Sequence, residues 1–186
     1  RIAVKDPLFV ELLSNDTVVE VWRRFLGPDV FCSTWTANIL YPGHESIHWH
    51  ADFPYWAMEE PWPTGRLTGQ TIWMLDQFTE ENGGTAVVPR SHRRPRKPDH
   101  PEEWHEDALI VTGPPGSVVL LDGAMWHTAR PNQTEAARVA LLGMYIRTCC
   151  VAMEDMRGQL SELNNPSELV VQLMGGNQRH PVDVNA

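Results

Sequence analysis

Five short runs rich in β-branched and aromatic residues, each bounded by Gly, Pro or Asn, occupy the middle of this 186-residue chain. Segments of this length and composition are typical of β-strands. Several such strands in succession favour an all-β sandwich, barrel or jelly roll. The predicted strands cover residues 30–41, 69–76, 85–88, 117–121 and 137–147.

The segment before the first strand has a helical pattern. Apolar residues recur every three to four positions between residues 6 and 26, with an interruption at 14–16. This spacing predicts two short amphipathic helices, the second capped by Asn15 or Asp16. Gly27 and the proline after it are expected to end the second helix.

The segment after the last strand also reads as helical, from residue 151 to about residue 163, and we expect the tail from Gly175 to be poorly ordered. The length suits one domain. We therefore predict a single domain over residues 1–186, with a helical lead-in at about 6–27, a β core at about 30–148 and a helical tail at about 151–186.

Composition excludes several classes of function. The 15 basic and 24 acidic residues give a net charge of −9, the wrong sign for a chain that wraps nucleic acid. No apolar run approaches the roughly 18 residues that span a bilayer. We therefore expect a soluble protein with no nucleic-acid and no membrane partner.

Cysteine usage and the first residues bear on the compartment. The cysteines are Cys32, Cys149 and Cys150, an odd number without CxxC spacing, so we expect reduced, buried thiols and neither disulfides nor a zinc knuckle. No signal peptide is visible at the start of the sequence. Together these features favour a cytoplasmic location.

The segment Ile47-His48-Trp49-His50-Ala51-Asp52 carries the first chemical signal. In an extended strand, residues two apart share a face, so His48, His50 and Asp52 are expected to point the same way. An imidazole and a carboxylate in this spacing can bind one metal ion. Taken alone, the tripeptide is a weak signal.

A second signal lies in residues 116–142. An apolar run leads to His127, residues 131–134 read as a turn, and a further run returns through Arg138. A hairpin centred on that turn would set His127 opposite Arg138, with Cβ atoms roughly 5 Å apart on one face. A buried guanidinium needs an anion, and a ligand carboxylate bound by both nitrogens would supply one.

Two imidazoles and one carboxylate form the facial triad of non-haem Fe(II) oxygenases, which leaves open positions on an octahedral metal. A 2-oxo acid and dioxygen can fill those positions, while the arginine holds the far carboxylate of the 2-oxo acid. The residues thus favour an oxygenase that uses Fe(II), a 2-oxo acid and O2.

The sequence resembles the phytanoyl-CoA dioxygenase family of Fe(II)/2-oxoglutarate oxygenases, with an ectoine-hydroxylase-like branch as one option. The matching pieces are residues 48–53, 81–92 and 116–138, in family order. The resemblance implies a double-stranded β-helix, which is a cupin-like jelly roll with flanking helices. It also implies iron on His50, Asp52 and His127, 2-oxoglutarate on Arg138, and Trp56 beside the cosubstrate.

Three departures from the family pattern are visible. Arg90 replaces a usual Gly, and we expect no backbone cost because positive φ should not be needed there. Ala129 replaces a Ser that helps to bind the cosubstrate, so that contact is expected either to be lost or to be taken over by Thr128 or Thr85. Members usually carry a further stretch before these helices, so we expect an N-terminally truncated member.

Substrate contacts are expected from residues around these motifs. His48 is expected to orient a metal ligand or the substrate. Arg90 and His92 lie where the mouth of the site is expected, at the start of a basic loop at 90–97 that either docks an anionic substrate or is a solvated surface loop. The aromatic candidates for a substrate pocket are Trp49, Phe53 and Trp126.

The resemblance implies hydroxylation of an unactivated C–H bond in a small molecule, with release of succinate and CO2. Asp52 favours hydroxylation because related halogenases have a small residue there. Two alternatives stay open: a noncatalytic jelly-roll protein that binds metal or ligand, and a zinc hydrolase with the same ligands. The sequence does not define the substrate or the oligomeric state.

Overall fold

The computed structural model describes residues 2–178, and it shows a jelly roll built from two antiparallel sheets, as predicted. The larger sheet has the strand order β1-β7-β2-β5 and the smaller sheet the order β4-β3-β6. The strands are β1 (Phe31–Leu40), β2 (Thr68–Met74), β3 (Thr85–Val87), β4 (Leu109–Val111), β5 (Val118–Asp122), β6 (His127–Ala129) and β7 (Arg138–Ile146). The α-helices are α1 (Pro7–Leu13), α2 (Asp16–Leu26) and α3 (Glu168–Leu173).

Alternation along the central strands separates an inner from an outer face of the larger sheet. On β2, Ile72 and Met74 pack with Val87 of the smaller sheet, so these residues face the interior between the sheets. Trp73 lies on the opposite face, in the cluster that contains the helices. The period of two in extended chain therefore sets which side chains can reach a site inside the jelly roll.

Helices α1 and α2 cover the outer face of the larger sheet. Asn15 caps α2 by accepting a hydrogen bond from the Val18 N–H, and Gly27 ends the helix with φ of 120°. The Trp22 indole N–H donates to Thr71 Oγ1 over 2.8 Å. Gly69 makes this packing possible, since a Cβ there would lie 2.1 Å from the Trp22 ring.

The outer face of the smaller sheet is covered by loops instead of helices. Residues 54–67 have no strand and one short 3-10 helix at Tyr55–Ala57. These loops and the outer face of the smaller sheet share an apolar cluster. Its buried residues are Trp49, Ala51, Tyr55, Trp62, Ala86, Val88, Ala124 and Trp126.

The helix predicted from residue 151 to about 163 is wrong for residues 151–156, and its second half forms a 3-10 helix instead of an α-helix. The chain first crosses the end of β1, where the Met153 N–H donates to Ser33 Oγ and the Glu154 N–H to Ser33 O. A 3-10 helix at Arg157–Glu162 follows, and α3 begins only after Ser167 caps it. Bonds to β1 satisfy the backbone that a helix would have used. Residues 179–186 of the predicted tail lie outside the described residues.

The predicted hairpin between His127 and Arg138 is also wrong. β6 pairs with β3 in the smaller sheet, whereas β7 pairs with β1 and β2 in the larger sheet. Arg138 lies opposite Leu40 and not opposite His127. Asn132 anchors the crossover between the sheets by donating to the carbonyls of Leu40 and Ala136. The chain therefore crosses from the smaller sheet to the larger sheet at these turn residues, instead of forming a hairpin within one sheet.

The remaining points concern the exposure of the cysteines and the length of the helices. Cys32 is buried, but Cys149 is exposed and Cys150 only partly buried, so the prediction of buried thiols holds for one residue of the three. Within residues 2–178, none of the helices has the length and apolar character needed to cross a bilayer.

Candidate metal centre

Three side chains converge inside the jelly roll. One possible ligand atom from each of His50, Asp52 and His127 lies within 4.8 Å of the other two. An antiparallel bridge joins the histidines, since the His50 N–H donates to His127 O over 3.1 Å and the His127 N–H donates to His50 O over 3.0 Å. The Asp52 N–H donates to Gly123 O over 2.7 Å, which attaches this residue to the end of β5.

Backbone carbonyls orient both imidazoles. His50 Nδ1 lies 2.9 Å from His48 O, and His127 Nδ1 lies 2.9 Å from Met125 O. A ring that donates its Nδ1–H to a carbonyl keeps the lone pair on Nε2, which is the form that binds metals. The sequence positions of these residues therefore fix the tautomer as well as the location of each imidazole.

Burial favours the neutral form of each member of this cluster. It lowers the pKa of His127 and of His50, and the nearby His127 ring lowers that of His50 further. Burial raises the pKa of the Asp52 carboxyl above its ordinary value, while His50 acts in the opposite direction. A bound cation would stabilise the carboxylate and the neutral imidazoles together.

The Asp52 carboxylate shows the fit most directly. Its Oδ1 lies 3.8 Å from His127 Nε2, and its Oδ2 is buried without a hydrogen-bond partner. A buried acceptor without a partner is costly, and a metal ion among these donors removes that cost. The donor set and the orphaned oxygen thus fit a divalent ion of the type predicted from the sequence.

Arg138 lies at the start of β7 and is only 3% exposed. Its Nη2 donates to Gly83 O over 2.8 Å, its guanidinium lies 4.2 Å from the Phe78 ring centroid, and its Nε has no partner. None of the ion pairs among residues 2–178 involves Arg138. Burial lowers its pKa to about 10 while the negative charge of Asp76 acts in the opposite direction, so the side chain stays charged at neutral pH.

The two threonines predicted as cosubstrate contacts face opposite ways. Thr85 pairs with Ala129 and shares the inner face with His127, which pairs with Val87. Thr128 points to the other face, where its Oγ1 accepts from the His48 N–H and donates to Ala129 O. Thr85 is therefore the one that faces the interior.

The predicted aromatic contacts divide into two groups. Phe53 packs against Phe31, Met144 and Ile146 inside the larger sheet, and it lies 6.0 Å from the half-exposed ring of Trp56. The second group, Trp49 and Trp126, does not reach the interior.

Trp49 and Trp126 are buried behind the smaller sheet, with their indole N–H groups bonded to Glu103 O and Arg96 O. Each is a sequence neighbour of a cluster histidine, and neighbours in extended chain point to opposite faces. The structure therefore places both tryptophans away from the site, and substrate contact by them is not supported.

The remaining predicted residues lie outside the cluster. His48 is exposed, with its ring 6.2 Å from that of His50. His92 is half-buried in a 3-10 helix at Ser91–Arg93, with Nδ1 buried and unbonded. Arg90 is exposed and precedes that helix.

The expectation that Arg90 carries no backbone cost is wrong. Its φ is 67°, in the left-handed region that a Gly adopts without strain. Arg90 immediately precedes the 3-10 helix at Ser91–Arg93, and it keeps the left-handed conformation that a Gly adopts easily.

Sequence reasoning missed two features near the cluster. Gly83 supplies the carbonyl that Arg138 binds, and Gln70 points an unbonded amide oxygen into the interior from β2. Gln70 was detectable, since a polar residue in a run with Ile72 and Met74 on the same face breaks the apolar pattern. Gly83 carries no comparable signal because its contribution comes from the backbone.

A jelly roll with two histidines and one aspartate converging in its interior defines a class of metalloprotein whose centre is of the type used by non-haem iron oxygenases. Residues 1–140 match the phytanoyl-CoA dioxygenase family. The chain belongs to this family, which confirms the resemblance seen in the sequence.

Individual relatives agree with this assignment. The chain is 31% identical over 140 residues to a protein named dioxygenase af480 from Aspergillus fumigatus, covering 75% of this chain and 45% of the relative. It is 25% identical over 172 residues to the ectoine dioxygenase of Sphingopyxis alaskensis, covering 78% of this chain and 56% of the relative. The chain thus spans about half the length of the curated relatives it matches.

A solved structure shows the same fold. EctD from S. alaskensis, crystallised with 2-oxoglutarate and 5-hydroxyectoine, superposes with a TM-score of 0.65 at 23% identity, covering 80% of this chain and 55% of that one.

Proposed function

We propose that this chain is the core of an Fe(II)- and 2-oxoglutarate-dependent dioxygenase that hydroxylates a C–H bond of a small molecule. The observation that carries the proposal is the charged, buried Arg138, without an ion-pair partner in the described part of the chain, in the same interior as the His50, Asp52 and His127 cluster. A cation site and an anion site in the interior of one jelly roll match a metal and a dicarboxylate.

Each residue of the cluster has a defined part in this proposal. His50, Asp52 and His127 would hold Fe(II) through Nε2, a carboxylate oxygen and Nε2. Bound iron supplies the coupling of O2 reduction to oxidation of 2-oxoglutarate, with one oxygen atom going to succinate, one to the hydroxylated product, and the lost carbon leaving as CO2. The surrounding apolar residues exclude water from that chemistry.

Arg138 would bind the distal carboxylate of 2-oxoglutarate. Its guanidinium is already held by Gly83 O and by the Phe78 ring, so little freedom is lost on binding. Thr85 faces the same interior and offers a hydroxyl to the cosubstrate. The binding of 2-oxoglutarate by the S. alaskensis relative supports this part of the proposal.

A zinc hydrolase with the same ligands is disfavoured by Arg138. Water activation on zinc needs no buried cation in the same interior, and a buried guanidinium without a salt bridge is costly even with the charge of Asp76 nearby. A dicarboxylate cosubstrate would give this guanidinium a direct salt bridge. The noncatalytic binding protein is an outcome of the experiment below.

The test uses the purified chain under anaerobic conditions. Addition of Fe(II) and 2-oxoglutarate is expected to give the weak visible charge-transfer band of a metal-chelated 2-oxo acid. 2-Oxobutanoate, which lacks the distal carboxylate, is expected to bind about 100-fold more weakly than 2-oxoglutarate, because it leaves Arg138 unpaired.

The Arg138→Met variant should lose this discrimination, whereas Arg24→Met, at an exposed position of α2, should keep it. Equal affinity for the two acids in the unmodified chain would contradict the role of Arg138. A band without succinate formation in air would support the noncatalytic alternative.

A further inference from the structure

Gln70, in the middle of β2, is a buried polar residue that the proposed chemistry does not use. It is 8% exposed, and its Oε1 is buried without a hydrogen-bond partner. A buried amide oxygen in this state costs free energy, so it is uncommon in a central strand. The question is which group it is arranged to meet.

The Gln70 side chain faces the interior of the jelly roll. Its neighbours Gly69 and Thr71 contact Trp22 of α2, so odd-numbered positions here point outward. Ile72 and Met74, which share the parity of Gln70, pack in the interior cluster. The amide therefore enters the same space as the candidate metal ligands.

Apolar residues flank this amide in the sheet. Gln70 lies directly opposite Leu121 on β5 and Met144 on β7, and both side chains are buried on the inner face. Met144 belongs to a cluster with Phe31 and Ile146, against which Phe53 packs. The amide is thus a polar group surrounded by apolar side chains, and a hydrogen bond from a ligand to it is strong in such surroundings.

Gln70 lies far from Arg138 along the sheet, near the end of β2 to which Asp52 is linked through backbone hydrogen bonds. Met144, the partner of Gln70, follows Arg138 by six positions on β7, which is about 20 Å of extended strand. Asp52 bonds through its N–H to Gly123 O, and the Gly123 N–H bonds to Thr68 O, two residues before Gln70. Gln70 therefore lies on the metal side of the interior, away from the dicarboxylate end.

Three buried polar side-chain atoms without partners point into this interior: Asp52 Oδ2, Arg138 Nε and Gln70 Oε1. The proposed metal and cosubstrate account for the first two. We propose that the third accepts a hydrogen bond from the substrate, so that Gln70 selects an apolar molecule bearing a hydroxyl or amide N–H near the oxidised carbon. This inference rests on the proposed function.

The first measurement needs neither metal nor substrate. If Gln70 Oε1 has no partner in the free protein, Gln70→Met should remove the cost of burying it and raise the melting temperature by about 2–4 °C. The matched control is Gln77→Met at an exposed position just after β2, which should leave the melting temperature unchanged. A lower melting temperature in Gln70→Met would assign the amide a structural role and overturn the proposal.

The second measurement uses probes that differ only in the donor. Cyclohexanol and methoxycyclohexane form one pair, and 1-phenylethanol and its methyl ether form another. In the unmodified chain, at least one alcohol should bind about fivefold to tenfold more tightly than its ether, as measured by the ligand-induced shift in melting temperature. The Gln70→Met variant should lose that preference. Equal binding within both pairs would overturn the proposal.

The two proposals fail separately. Affinity for 2-oxoglutarate, from the visible band with Fe(II), should be the same in Gln70→Met and in the unmodified chain, because Arg138 holds the cosubstrate. A weaker affinity in the variant would make Gln70 a cosubstrate ligand and overturn the inference alone. Absence of the band in the unmodified chain would contradict the proposed function, while the melting and probe measurements would still report on Gln70.

Discussion

His48 and His50 lie two residues apart in the same extended segment, yet only the His50 imidazole reaches Asp52 and His127. The bridge to His127 holds the backbone of His50, and its ring is oriented by the carbonyl of His48. His48 is exposed, and its backbone N–H bonds to Thr128. The pair therefore gives a test of ligand identity in which residue type and sequence context are nearly the same.

We expect His50→Ala to lose Fe(II) binding and His48→Ala to retain it, as measured by anaerobic calorimetry. Loss of a residue that hydrogen-bonds to a metal ligand typically weakens metal binding by roughly 10–100-fold. Removal of His50, one of the three protein ligands, should weaken Fe(II) binding by more than that. Circular dichroism of both variants checks folding. Equal losses in the two variants would contradict the assignment of His50 as the ligand.

The sequence defined this part of the site well, because its chemistry lies in a local pattern. His50 and Asp52 share a face through the period of two, and that relation survives in the structure although the segment forms only an isolated bridge. Trp49 and Trp126 were chosen as substrate contacts by proximity in sequence, and the structure places both behind the smaller sheet. The same alternation that groups His50 with Asp52 turns both tryptophans away.

At the scale of elements, residues 116–142 show where sequence reasoning stopped. The strand, turn and strand were correctly located, but β6 and β7 join different sheets. Register within a hairpin follows from turn length, whereas a crossover between sheets depends on contacts distant in sequence, such as the bond from Asn132 to Leu40 O. Arg138 still reaches the interior, because β7 presents the correct face.

The turn before the 3-10 helix at Ser91–Arg93 gives a prediction of stability. Arg90 has φ of 67°, which costs roughly 1 kcal/mol for a residue with a Cβ. Arg90→Gly should raise the free energy of unfolding by about 0.5–1 kcal/mol in urea titrations, after the larger entropy of the unfolded chain is included. The control Arg93→Gly, at a position without positive φ, should lower it.

The contact of α2 with β2 gives a second prediction at this scale. A Cβ on Gly69 would lie 2.1 Å from the Trp22 ring, which is buried and bonded to Thr71. Gly69→Ala should therefore lower the free energy of unfolding by about 1–3 kcal/mol, measured by urea titration. Gly158→Ala meets nothing within 4 Å and should change it by less than about 0.5 kcal/mol. Similar values for the two variants would mean that α2 shifts easily on the sheet.

At the scale of the whole molecule, the residues that stabilise the fold and the groups proposed to bind ligands lie in different layers. Helices cover the outer face of the larger sheet and loops cover that of the smaller sheet, while the polar groups proposed to bind ligands lie between the sheets. The interior cluster, which includes Ile72, Met74 and Val87, is separate from the cluster under the helices. A substitution under the helices should thus alter stability with little effect on ligand selectivity.

The cysteines allow this layered arrangement to be tested. Cys149 is exposed, whereas Cys32 is 1% exposed in the cluster under the helices, and burial raises the pKa of its thiol far above the ordinary value. Burial also raises the pKa of Cys150 to about 11. At pH 8, a thiol reagent should label Cys149 fast, Cys150 more slowly, and Cys32 only through opening of the structure.

The rate at Cys32 then reports the stability of the outer layer. If opening equilibrates before labelling, each 1 kcal/mol lost should speed the reaction about fivefold, so Gly69→Ala should accelerate labelling of Cys32 by roughly 5–150-fold and leave Cys149 unchanged. Gln70→Met, which changes the inner face of the same strand, should slow labelling of Cys32. Fast labelling of Cys32 in the unmodified chain would show that the helices do not cover the sheet in solution.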